Sequence, residues 1–313
     1  MLRIERILCP VDFSESSIRA YDYAQSVARH YQAKLFLQHV VDFVLPPYAY
    51  YAPSSYLDEI FAKVRAEARE ELQKFAKSHT RSGVHPECLV YEGTVTDSIL
   101  SFAEAQKVDL IVMGTHGLKG HNRVTLGSGA DKVLREAHCP VLVVRKPGPE
   151  TAAPEGAQNP VELRRVIFCT DFSDPSQRAL DYALSLAAEY NAELTLLHVL
   201  EDLPSSADVE EEITKAKKQL DELIPPEGVK PCKIKTLVRI GRAYEQIIEL
   251  ALEVQADLLI MAVRGRNALN LAVFGSTTYR VIQLGPCPVL AVHDWKAQNA
   301  GSAGTSGANA PSS

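Results

Sequence analysis

Leu110-Ile-Val-Met113-Gly114-Thr-His-Gly117, then nine residues, then Gly127-Ser128-Gly129, is the stretch that decides the fold. An apolar run of strand length ends abruptly in glycines, and the second glycine group opens a segment of helical period. Glycines let an anion come close to backbone N–H groups, and a helix start adds a favourable dipole. A lone Gly-x2-Gly is no more than a tight turn. The full Gly-x2-Gly-x9-Gly-Ser spacing, set between strand and helix, reads as a nucleotide-phosphate loop with the Ser128 hydroxyl beside the amides.

The same design recurs later in the chain. Val11-Asp12-Phe13-Ser14 returns as Thr170-Asp171-Phe172-Ser173, and His39-Val40 as His198-Val199, both at an offset of 159 residues. Gly93 returns as Gly241, Asp109 as Asp257, Gly117 as Gly265, Gly127-Ser128 as Gly275-Ser276, and Cys139-Pro140-Val141-Leu142 as Cys287-Pro288-Val289-Leu290, at an offset of 148. The change of register places 11 extra residues of the first copy between His39 and the helix that follows. Two copies of one domain therefore make up the chain.

Within each copy short apolar runs alternate with longer amphipathic ones. Ile7–Cys9, Leu35–Val40, Cys88–Tyr91, Leu110–Met113 and Val141–Val144 read as strands. Their counterparts are Val166–Cys169, Leu194–Val199, Thr236–Arg239, Leu258–Met261 and Val289–Val292. Continuous apolar strands separated by helices mean a parallel sheet covered on both faces. The expected fold class is α/β, two tandem Rossmann-like domains of five parallel strands each. Ligands then bind beyond the carboxyl ends of the strands. The expected boundaries are domain one at 1–146, a Pro/Gly/Ala-rich linker at 147–160, domain two at 161–295, and a small, polar, disordered tail at 296–313.

The 313 residues carry a net charge of -6, with no basic surplus to neutralise nucleic-acid phosphates. Apolar runs fall short of a bilayer span, and Met1–Phe13 lacks the features of a signal peptide, so a cytoplasmic location with no membrane partner is expected. Six cysteines form no CxxC pair and read as reduced thiols. No metal-ligand spacing is present.

These motifs resemble the universal stress protein family in its tandem two-domain form. The resemblance rests on Pro10-Val-Asp12-Phe-Ser14, the His39-Val40 strand end, Met113-Gly114-x2-Gly117-x9-Gly127-Ser128, and the closing Cys-Pro-Val-Leu strand. It implies an adenine-nucleotide α-hydrolase-like fold that binds ATP, with Mg2+ on the phosphates. It further implies that Asp12 contacts the adenosine, that Pro10, Val40 and Met113 line the adenine pocket, and that Gly114, Gly117, Gly127, Ser128 and Gly129 contact ribose and phosphate. In that family the terminal strands pair across a dimer. Here such pairing would be made inside the chain or in a homodimer through those strands.

From the residues alone, Asp12 has two roles open to it: accepting from a ribose hydroxyl or adenine amine, or serving the start of the next helix. The second copy departs from the motif, with Ala262 for Gly114, Arg264 for His116 and Cys169 for Pro10. A second nucleotide site would use Asp171, Val199, Met261, Gly265, Gly275, Ser276 and Thr277. Ala262 suggests that this site is weakened, altered or empty. His116, Lys119, His121 and Arg123 stand where they can reach phosphates or simply be solvated. His39 and His198 read as structural residues at the strand ends. The segment 45–56, with Tyr48, Tyr50, Tyr51 and Tyr56, is a lid, a partner surface or a long loop.

The expected function is a nucleotide-dependent sensor or regulator of a stress response, acting with an unidentified protein partner. No nucleophile–base pair is evident, so catalysis is expected to be at most weak ATP hydrolysis or autophosphorylation. The rivals are a scaffold that binds no nucleotide and a nucleotidyl-transfer enzyme. The latter usually shows His-x-Gly-His where Asp12-Phe-Ser-Glu stands.

Overall fold

The computed structural model describes residues 2–42, 54–115, 126–145, 162–201, 208–226, 232–263 and 275–293. In the first copy these form β1 (Arg6–Pro10), α1 (Glu15–Tyr31), β2 (Lys34–Val41), α2 (Ser54–His79), β3 (Glu87–Glu92), α3 (Val95–Ala105), β4 (Leu110–Gly114), α4 (Ser128–Glu136) and β5 (Val141–Val144). The second copy supplies β6 (Arg165–Cys169), α5 (Asp174–Glu189), β7 (Glu193–Leu200), α6 (Val209–Glu222), β8 (Ile234–Ile240), α7 (Ala243–Glu253), β9 (Leu258–Ala262), α8 (Ser276–Leu284) and β10 (Val289–Val292). The expected linker and tail lie outside the described residues, as does the segment 43–53.

Local chemistry sets several of these boundaries. Ser14 caps α1, its side chain accepting from the Ser17 amide at 3.3 Å, with Glu15 in the first turn. Gly93 and Gly241 follow the third strand of each copy at φ +115° and +133°, which glycine adopts without strain. Their amides donate to Val41 and Leu200 across the sheet. The repeated aspartates are structural. Asp109 Oδ2 accepts from the Glu5 and Arg6 amides at 2.8 and 2.9 Å, and Asp257 does the same for Arg164 and Arg165. They tie the starts of neighbouring strands at the end of the sheet away from the glycine loops.

Among the described residues, eight helices cover one sheet in the order β3-β2-β1-β4-β5-β10-β9-β6-β7-β8. All neighbours are parallel except β5 and β10, which pair antiparallel with Leu142 opposite Leu290. The carboxyl ends of the two copies' strands therefore point in opposite directions. The terminal strands satisfy each other's edges within the chain, so neither offers a free edge to a homodimer through these strands. Around the seam, Arg145 donates to the Gly285 carbonyl at 2.7 Å, and His293 Nε2 lies 2.7 Å from the Leu134 carbonyl. The residue after each terminal strand thus grips the end of the other copy's last helix.

Successive residues of each strand enter opposite layers. Ile7, Cys9, Leu35, Leu37, Val112 and Leu142 join the layer that holds α1 and α2, and Leu8, Phe36, Ile111, Met113 and Val141 join that of α3 and α4. Both layers run on without a break into the second copy.

The extra length of the first copy, expected ahead of the helix, lies largely in the helix itself. Helix α2 has 26 residues and α6 has 14. The added turns carry Phe75 and His79, and the carbonyl of His79 accepts from Gln25 of α1. Tyr56 sits in the first turns of α2, exposed.

Cys9, Cys139, Cys169 and Cys287 are free and buried. Burial pushes the Cys139 and Cys287 thiols up from 9.0 to about 12, and the Tyr182 and Tyr190 phenols up from 10.0 to about 12. Cys9 and Cys169 are pushed higher still, again by burial. The folded state holds the neutral forms. Stability is therefore full below the ordinary thiol value of 9.0 and falls as pH rises towards the folded values. Thermal unfolding between pH 8 and 11 is expected to show a steep loss above pH 9, of about 1.4 kcal/mol per buried thiol per pH unit. A flat profile would contradict this burial. Residues 1–146 produced alone would leave the β5 edge bare. Sedimentation should show them self-associating, and a strictly monomeric half-chain would count against the seam.

Candidate nucleotide site

At the carboxyl end of β1 the chain turns sharply into α1, and this turn presents Asp12. Phe13 adopts φ +64°, a left-handed conformation that costs a non-glycine residue about 1 kcal/mol or more. Asp12 Oδ1 accepts from the Ser14 amide at 3.1 Å and the Ser14 hydroxyl at 2.6 Å. The carboxylate thus does serve the helix start, one of its two expected roles, while standing at the strand end. His39 Nδ1 lies 2.8 Å from the Val11 carbonyl, and its ring packs on Phe13 with centroids 4.5 Å apart. His39 is in this sense the structural residue that the sequence suggested.

The expected base-lining residues converge on one face. Met113 lies in the α3/α4 layer, and strand alternation from Leu8 and Phe36 puts Pro10 and Val40 on that same face. Met113 and Val40 are buried and Pro10 is half-buried. Alongside them begins α4, with Ser128 exposed at its first position and Gly127 as its cap. Glycine has no side chain with which to cap the first amides of the helix, which leaves them available to an anion.

The ends of the glycine loop are pinned. The Gly127 amide donates to the Thr115 carbonyl at 2.9 Å, and the Thr115 amide donates to Val144 at 3.1 Å. The second copy repeats both bonds through Gly275, Val263 and Val292. Gly117, Gly265, His116, Lys119, His121, Arg123 and Arg264 lie outside the described residues. Thr115, which sequence inspection passed over, is the buried root of the loop.

Gly114 needs a different explanation from the one its motif suggests. A Cβ built there would lie 2.9 Å from the Ser16 backbone carbon and 2.9 Å from Ser16 Oγ, in the first turn of α1. Its missing side chain faces the α1/α2 layer, opposite the face of Pro10, Val40 and Met113. Glycine stands there because α1 sits tightly on β4. In the second copy the methyl of Ala262 enters the equivalent layer, so it points away from the base-lining face. Ala262 is therefore no reason for the second site to be weak. The second copy repeats the acidic turn as well: Asp171 Oδ1 accepts from the Ser173 amide and hydroxyl at 3.1 and 2.5 Å, with Phe172 at φ +62°. What differs beside α8 is Thr277 for Gly129, Thr278 bonded to the Ala262 carbonyl at 2.9 Å, and Tyr244 with Arg280 stacked over its ring at 4.6 Å.

The profile of the universal stress protein family matches residues 3–145 and again 162–293. A universal stress protein of Methanocaldococcus jannaschii is 37% identical over 146 residues, covering 47% of this chain and 85% of its own length. One of Mycolicibacterium smegmatis is 26% identical over 293 residues, covering 91% of this chain and 96% of its own. Among solved structures, a universal stress protein from Archaeoglobus fulgidus superposes with a TM-score of 0.67 at 22% identity, covering 93% of this chain and 99% of its own, which speaks to the fold.

Gly114→Ala is expected to destabilise the full chain by about 1–3 kcal/mol, since helix backbone cannot yield as a side-chain tip can. Ala262→Gly should leave any nucleotide affinity of the second copy unchanged. Chemical denaturation and calorimetric titration check both. A neutral Gly114→Ala would show that α1 can move off β4.

Proposed function

The chain belongs to the universal stress protein family, and from that premise we propose that it binds ATP in its first copy and acts as a nucleotide-dependent regulator. The observation that carries this reading is the convergence of Pro10, Val40 and Met113 on one sheet face beside the glycine-capped start of α4. An apolar face accepts a flat base, and the uncapped helix amides with Ser128 accept phosphate. Asp12, at the end of β1 between them, would accept from the adenosine. Mg2+ would come with the phosphates of the nucleotide. A bound nucleotide would be held by residues at the ends of β1 and β4 and at the start of α4.

Regulation rather than rapid turnover suits the chemistry available. Asp12 is engaged by Ser14, and the buried thiols are held protonated. The described residues thus supply groups that bind and orient more than groups that attack. Among the described residues no helix is long and apolar enough to cross a membrane.

The test is calorimetric titration of the full chain with Mg-ATP, beside mass spectrometry of ligand released from gently purified protein. We expect micromolar or tighter binding, weakened roughly tenfold or more by Asp12→Ala, the loss of one hydrogen bond to a charged group. No heat from ATP and no released nucleotide would favour the scaffold alternative.

A further inference from the structure

We infer that His39 is a positioning residue for the nucleotide: through the Val11 carbonyl and the Phe13 ring it holds the turn from which Asp12 meets the adenosine. This rests on the nucleotide reading above and assigns to that site a residue that does not itself touch the ligand. His39 lies on the strand face of Leu35 and Leu37, in the α1/α2 layer. A base lying on Pro10, Val40 and Met113 occupies the other face. His39 must therefore act through the backbone.

The chemistry of the contact is specific. A carbonyl oxygen only accepts, so Nδ1 at 2.8 Å from the Val11 oxygen carries the proton. The Val11 amide donates to the Gln38 carbonyl at 2.8 Å. Both backbone groups of Val11 are thus held by consecutive residues of β2, and this fixes the peptide plane that leads into Asp12. The next residue, Phe13, is in the left-handed region, a conformation that persists only where the surroundings enforce it. Its ring is caught between His39, at 4.5 Å between centroids, and Phe75 of α2, at 5.4 Å.

The second copy keeps the histidine, the left-handed phenylalanine and the aspartate while their neighbours change. His198 Nδ1 lies 2.8 Å from the Thr170 carbonyl, and the Phe172 and His198 centroids are 4.4 Å apart. Yet Cys169 stands for Pro10, Thr170 for Val11, and α6 is 12 residues shorter than α2. What both copies retain is the link from histidine through a strained aromatic residue to an aspartate.

Full-length His39→Ala, His39→Asn and His39→Gln are compared with the parent by titration with Mg-ATP and, separately, with tripolyphosphate. Asparagine places its amide nitrogen where Nδ1 stands, whereas glutamine places it farther out, near Nε2. We expect His39→Ala to weaken ATP roughly tenfold or more, with tripolyphosphate changed by less than about twofold, and His39→Asn to recover most of the loss. Should the alanine variant fail to fold, tighter ATP binding by His39→Asn than by His39→Gln carries the same test. Equal ATP affinity in parent and variants would overturn the inference. So would parallel loss of ATP and tripolyphosphate, or an asparagine variant no better than glutamine. A parent that binds no ATP fails the nucleotide reading itself, and the positioning role falls with it.

Discussion

A strand buried on both sides must send successive side chains into opposite layers, and in this protein that parity decides what each motif residue can touch. Pro10, Val40 and Met113 share one layer with α3 and α4, and Gly114, His39 and Ala262 share the other with α1, α2 or α5. Residues adjacent in a motif thus do different work. Met113 faces the α3/α4 layer, whereas Gly114 makes room for the first turn of α1. The glycine loop hangs from this arrangement, with Thr115 fixing its start to β5 and its end to Gly127.

The antiparallel meeting of β5 and β10 turns two such domains into one sheet. Exposed strand edges invite uncontrolled pairing, and duplication within a chain removes two of them at once. The seam is reinforced by reciprocal contacts, Arg145 to Gly285 and His293 to Leu134, and by His30 stacked on Tyr190 at 4.2 Å. The roots of the two loops, at Thr115 and Val263, follow strands whose carboxyl ends point in opposite directions. Each is rooted on a terminal strand whose next residue holds the other copy's last helix.

Much of this was legible in the residues. The repeat, the strands and the helix starts at Ser14 and Ser128 follow from period and capping chemistry, which are local. Cys9, Cys139, Cys169 and Cys287 sit in apolar runs and are buried, whereas Cys88 and Cys232 are only partly buried. The reason for Gly114 was not legible, since a motif cannot say which face of a strand a missing side chain would have occupied. Nor was the length of α2, because an insertion between two aligned points looks the same whether it extends a loop or a helix. The Phe13 conformation also escaped notice: the Asp12–Ser14 bonds that span it are local, but the rings that hold it, His39 and Phe75, are distant in sequence.

Hydrogen–deuterium exchange of the full chain with and without Mg-ATP tests the central claim most directly. ATP seated in the first copy predicts slowed exchange together at residues 10–14, 113–115 and 127–130, the strand end, the loop root and the helix start. Binding of ATP with those three segments unchanged would contradict it.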